Sequence, residues 1–95
     1  MNRITKAMLT SRLDALNDAL DLPREPYAAA ERDANGYLQS NAGTFVLDWA
    51  YGGVRLSRMT AGGGERDISP RGTTRECYAY VSAMLTGIAL VKGRA

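Results

Sequence analysis

The sequence predicts an α+β domain: a three-stranded antiparallel meander with two helices on one face, in the order α-β-β-β-α. Three observations predict it. Two stretches, near either end of the chain, repeat apolar residues at three- and four-residue steps. The stretch between them is β-like, with the dipeptides Ala42-Gly43 and Gly52-Gly53 placed as two-residue turns. Read as hairpins, both dipeptides sort the strand residues onto the same two faces, and that agreement is the main argument for the sheet.

The first helix is expected from about Thr5 to Leu20. Met8, Leu9, Leu13, Leu16 and Leu20 lie on one side, Asn2 or Thr5 caps the start, and Pro23 stops it. Asp14, Asp18 and Asp21 share the outer side, a solvated face that converges too poorly to cage a cation. The connector Leu22–Asn35 holds Pro23 and Pro26, favours extended backbone, and leaves room for a short extra strand around Tyr27–Ala29. Asn35-Gly36 reads as a turn.

Three strands follow, near Tyr37–Asn41, Thr44–Tyr51 and Val54–Met59. With Gly52-Gly53 as the loop, Tyr51 opposes Val54, Trp49 opposes Leu56 and Leu47 opposes Arg58. With Ala42-Gly43 as the other loop, Leu38 opposes Leu47 and Ser40 opposes Phe45. The core face then carries Leu38, Phe45, Leu47, Trp49, Tyr51, Val54 and Leu56. The outer face sets Gln39, Val46 and Met59 side by side, with Tyr37 near them, Asp48 pointing to solvent and an Asp48–Arg55 ion pair across the strands. Trp49 in this register is buried, and its replacement by Ala is expected to cost about 3–5 kcal/mol. The second helix begins with the capping box T-T-R-E: Thr73 caps, and Glu76 reaches back. Cys77, Val81, Met84, Leu85 and Ile88 form its stripe, which runs to about Val91 before Gly93 ends the helix.

Bulk properties bound the function. Ninety-five residues make a single domain, 1–95, with 45% hydrophobic and 23% charged residues and a net charge of +2. That charge is too small to predict nucleic-acid binding. The chain has no histidine, which removes Ser-His-Asp and Cys-His catalysis and most zinc or copper sites. The single cysteine, Cys77, forms no intrachain disulfide, lies on an apolar stripe and has no activating base. No apolar run approaches the roughly 20 residues needed to cross a bilayer, and the first residues lack a signal-peptide core. The expectation is a cytoplasmic, non-enzymatic protein with no catalytic residue, metal or cofactor.

Two surfaces remain as candidates. The segment Thr60–Gly72 reads as a long loop whose Gly62, Gly63 and Gly64 leave backbone amides accessible, flanked by Arg58, Arg66, Arg71 and Arg75 and leading into a helix N-terminus. With Tyr78, these residues form the predicted binding site, for an acidic patch on a protein or for a phosphate-bearing nucleotide. No phosphate-loop or dinucleotide motif accompanies them. The outer sheet face, with Tyr37, Gln39, Val46 and Met59, is the predicted interface of a homodimer.

The run NAGTFVLDWAYGGVRLSRMTAGGG, with the following T-T-R-E-C-Y and the preceding LPREPY, resembles small uncharacterised proteins encoded by tailed phages and prophages. The resemblance covers most of the chain and consists of turns and core positions rather than a catalytic motif. It implies a non-enzymatic accessory protein of the counter-defence type. Such a protein binds and neutralises a host component, as anti-CRISPR proteins do. The alternative it implies is an oligomeric sponge for a nucleotide immune messenger. Either would act in the host cytoplasm.

Overall fold

Both helices lie on one face of an antiparallel sheet, in a computed structural model that describes residues 3–32 and 38–93. The elements are α1 (Lys6–Ala19), β1 (Tyr27–Arg32), β2 (Leu38–Ser40), β3 (Phe45–Ala50), β4 (Gly53–Met59), β5 (Glu65–Asp67) and α2 (Thr74–Gly93). The class is α+β, as the sequence predicts. The strands form two antiparallel sheets, the pair β1-β2 and the three-stranded meander β3-β4-β5.

The helix boundaries follow local chemistry. Thr5 caps α1, its side chain accepting from the Met8 N–H at 3.1 Å. The helix ends before Pro23 is reached. Asp21 sits in the left-handed region at φ 57, Leu22 N–H donates to Asn17 C=O, and Asp21 N–H donates to Asp18 C=O. This is a Schellman motif with an aspartate in the place glycine usually takes. Leu22 then packs on the core. The α2 capping box is formed: Thr73 N–H donates to Glu76 Oε1 at 2.9 Å, and Glu76 N–H to Thr73 Oγ1 at 3.0 Å. Hydrogen bonds to the carboxylate, chiefly from the Thr73 backbone N–H and then from the Thr73 side chain, hold the Glu76 carboxyl below its ordinary pKa.

The core joins Leu9, Leu13 and Leu16 of α1, Phe45, Val54 and Leu56 of the sheet, and Cys77 and Val81 of α2. Met8 and Leu20, at the ends of the predicted α1 stripe, are exposed. Asn17, Thr44 and Ser57 are fully buried polar residues, and of these Asn17 joins a helix to the sheet: it donates to Phe45 C=O at 3.0 Å and accepts from Phe45 N–H at 2.9 Å. Its amide occupies the place of a neighbouring strand at that point of β3.

The three-stranded meander is present, but one of its strands is not the expected one. Ala42-Gly43 does turn the chain: Gly43 takes φ 95 and Thr44 N–H donates to Asn41 C=O. Its two arms, however, enter different sheets. β2 pairs with β1, so the expected oppositions Leu38–Leu47 and Ser40–Phe45 are absent; Ser40 opposes Tyr27 instead. The third strand beside β4 comes from the segment read as a loop. Thr60 to Gly64 is a hairpin turn closed by Thr60 N–H to Gly64 C=O, and β5 returns along β4 with Met59 opposite Glu65 and Ser57 opposite Asp67. Beyond β5 the return continues. Ile68 and Ser69 N–H both donate to Leu56 C=O, Ser69 Oγ accepts from Leu56 N–H, and Gly72 bridges Val54.

The central hairpin forms with a shifted register. Its loop is Tyr51-Gly52, not Gly52-Gly53, so Leu47 opposes Leu56, Asp48 opposes Arg55 and Trp49 opposes Val54. Tyr51 and Gly52 both have positive φ, 54 and 73, the signature of a type I′ turn. Gly53 instead lies in the strand against Gly72: a Cβ there would meet the Gly72 carbonyl at 2.8 Å. The slip is two residues, an even number, so the two faces keep the expected membership along β3 and β4. It nevertheless carries the far end of the hairpin off the helices. Trp49 is 40% exposed and Tyr51 97% exposed, where the predicted register buried both.

Candidate functional site

The hairpin tip is the most distinctive surface of the fold. Tyr51 holds a left-handed backbone, which non-glycine residues adopt at a cost of about 1–2 kcal/mol, and its ring is almost wholly in solvent. Trp49 lies two residues away, with the Lys6 ammonium 4.8 Å from its ring centroid. Behind the tip, the Arg71 guanidinium donates to the Asp48 and Ala50 carbonyls at 2.8 and 3.3 Å and to Asp48 Oδ2 at 3.0 Å. Arg55 reaches the same Asp48 Oδ2 at 2.8 Å and Asp67 Oδ2 at 3.0 Å. The predicted Asp48–Arg55 pair is therefore present, as part of a half-buried cluster rather than beside a solvent-pointing Asp48. This cluster holds the strained turn rigid. Exposed aromatics on a rigid support are the residue types that dominate protein–protein contacts.

The predicted binding residues do not converge. Arg71 and the amide end of α2 lie at the Gly53 end of β4, and the glycine turn lies at the Met59 end. Six residue steps of strand separate those ends by about 20 Å. Arg71 is held by Asp48, as described, and Arg75 lies one residue into α2, at the same end as Arg71. Tyr78 is half-buried, packs on the core and accepts from Arg12 of α1, whose guanidinium lies 4.9 Å from its ring. Gly62 and Gly64 are exposed. The carbonyl of Gly63 accepts from the Tyr27 hydroxyl at 3.0 Å, and that of Gly64 from Thr60 Oγ1 at 3.1 Å. Only Arg58 and Arg66 stay beside this turn, opposite one another on adjacent strands. Arg58 donates to Gly43 C=O at 2.7 Å and covers the Phe45 ring.

The predicted dimer face is also rearranged. Met59 is buried, Val46 is half-buried, Gln39 belongs to the β1-β2 sheet, and Tyr37 lies outside the described residues, as does the Asn35-Gly36 turn. An apolar groove that sequence reading missed runs between the end of α1 and the last turns of α2, about 640 Å³ in volume and lined by Leu20, Met84, Ile88 and Val91. Lys92 on its rim donates to the Ala19 carbonyl at 2.6 Å.

Cys77 is buried, and burial pushes its thiol pKa up, away from the reactive thiolate. The aspartates of α1 are answered from within the chain: Arg24 makes two hydrogen bonds to Asp18, which hold that carboxyl below its ordinary pKa, and lies 3.8 Å from Asp14. Among the described residues no group of three or more metal-ligating side chains converges, and no helix is long and apolar enough to cross a membrane. No family model matches the chain, and no curated protein or solved structure matches it significantly.

The tip was hidden from sequence reasoning by one choice, that of the turn residues. A glycine pair is the more favourable loop, so local sequence places the turn at Gly52-Gly53 rather than at Tyr51-Gly52. The signal that favours the observed turn lies about twenty residues along the chain, where Gly72 and Arg71 fill the space beside Gly53.

Proposed function

We propose that this chain acts by binding, without catalysis, and that the β3-β4 tip is the surface it presents to a protein partner. The observation that carries this reading is Tyr51: 97% exposed, strained at φ 54, and backed by the Arg71 guanidinium 5.7 Å from its ring centroid. Strain of this kind has no benefit for folding, since glycine at the same position would relieve it, and such residues cluster at functional sites. Taken with the resemblance to tailed-phage accessory proteins, the partner is a host defence component met in the host cytoplasm. Nucleic acid is the poorer fit. The net charge is only +2, and the Arg55 and Arg71 guanidiniums are both engaged by Asp48.

The test is native mass spectrometry of the protein purified from phage-infected cells, with Tyr51→Gly alongside. A host protein should accompany the wild type and be lost from the variant, which should fold at least as well. A partner retained undiminished by Tyr51→Gly refutes the tip. A retained nucleotide with no protein partner favours the sponge reading, for which Arg58 and Arg66 beside the glycine turn are the remaining cationic candidates. Saturation at about 100 times the dissociation constant would then stabilise the fold by about 2.7 kcal/mol, readable as a thermal shift.

A further inference from the structure

We propose that the open edge of β3 pairs with the same edge of a second copy, giving a two-fold homodimer with a continuous six-stranded sheet. The direction of the β3 backbone groups follows from two contacts. The Thr44 C=O accepts from Met59 N–H on the β4 side, whereas the N–H and C=O of Phe45 both point the other way, to Asn17. Backbone groups alternate along an antiparallel strand, so Leu47 and Trp49 also direct their N–H and C=O away from β4. Among the described residues, nothing receives them. The Asn17 amide closes the edge at Phe45, and the turn closes it at Tyr51. What stays open is two positions placed symmetrically about Asp48.

That symmetry selects the partner and the register. Antiparallel pairing about Asp48 sets Leu47 against Trp49 of the second copy and Trp49 against its Leu47, using both open positions once each and meeting neither block. A two-fold interface needs such self-complementarity. The exposed indole gains an aliphatic cross-strand neighbour. The two Asp48 side chains meet on the axis, each already neutralised by its own Arg55 and Arg71. The sheet's two edges are also finished differently. β5, on the far side, is the exposed and charged sequence Glu65-Arg66-Asp67, of the kind that discourages edge pairing. β3 carries Leu47 and Trp49 with no lysine, proline or bulge. Pairing this short buries less than the roughly 800 Å² per partner of stable interfaces, so the dimer exchanges with monomer.

Three measurements on the intact chain test this. Sedimentation from about 10 µM to about 1 mM should show a monomer–dimer transition. Over the same range, hydrogen exchange at the Leu47 and Trp49 amides should slow several-fold. Asp48→Cys should form an intermolecular disulfide, because directly opposed residues that share no hydrogen bond stand about 4.5 Å apart at Cα. Val46→Cys, offset from its counterpart by several residues, should not. A monomer at the highest concentration with concentration-independent exchange at both amides overturns the proposal, whatever Asp48→Cys does. A dimer in which those two amides stay unprotected overturns it equally. Tyr51 lies outside the paired stretch, so failure here and failure of the tip as a partner site are read separately.

Discussion

Asn17→Ala should be among the most damaging substitutions of a polar residue in either helix. Asn17 is 0% exposed and Phe45 4%, and the amide satisfies both Phe45 backbone groups at 2.9 and 3.0 Å. Alanine removes both bonds and leaves a buried donor and a buried acceptor unmatched, each costing about 1–3 kcal/mol. The better helix propensity of alanine returns about 0.5 kcal/mol. The net loss is about 1.5–5.5 kcal/mol, against total stabilities of about 5–15 kcal/mol for domains in general. For a chain of this size each kcal/mol lowers Tm by about 4–8 °C, so scanning calorimetry should register a fall of at least about 6 °C. Urea unfolding should show a lower midpoint with an unchanged slope. Asn17→Asp sharpens the test. Its carboxylate still accepts from the Phe45 N–H but faces the Phe45 carbonyl with a second acceptor. It should therefore be at least as damaging at neutral pH and recover in part once protonated. An Asn17→Ala variant within about 0.5 kcal/mol of wild type, the range of ordinary surface changes, would refute the reasoning.

Three further outcomes are expected. Asp21→Gly should raise stability by about 1 kcal/mol, measured by urea unfolding, because glycine takes the left-handed position of the α1 Schellman motif without strain. Trp49→Ala should cost only about 1–2 kcal/mol, well below the loss for a buried aromatic, since the indole is 40% exposed; a loss above about 3 kcal/mol would restore it to the core. Asp18 and Glu76 have folded pKa values below their ordinary ones, so each adds stability that is present above the unfolded pKa and lost as pH falls through the folded one. Melting temperature should therefore fall with acid below about pH 4.5, and less steeply in Arg24→Gln and Glu76→Gln.

The sequence by itself determined the helices, their caps and which residues of β3 and β4 share a face. Thr5, Thr73 and Glu76 act within one helical turn of their partners, and the apolar stripes repeat at the helix period, so neither needs the rest of the chain to be read. Face membership along β3 and β4 survived a wrong turn because strand side chains alternate with period two and the error was an even number of residues. What only the tertiary structure decided was pairing. Local sequence shows that Ala42-Gly43 turns the chain but not which strand each arm joins, so β2 went to β1 instead of β3, and the third strand, β5, joined the opposite edge at β4. The glycine triplet read as a loop because its β-strand, Glu65-Arg66-Asp67, carries no apolar alternation; its hydrogen bonds to β4 hold it there instead. The position of Arg71 is likewise long-range. Its three bonds to Asp48 and Ala50 hold the hairpin with Tyr51 in the turn, and that placement put two aromatic side chains in solvent where the local preference for a glycine pair had put them in the core.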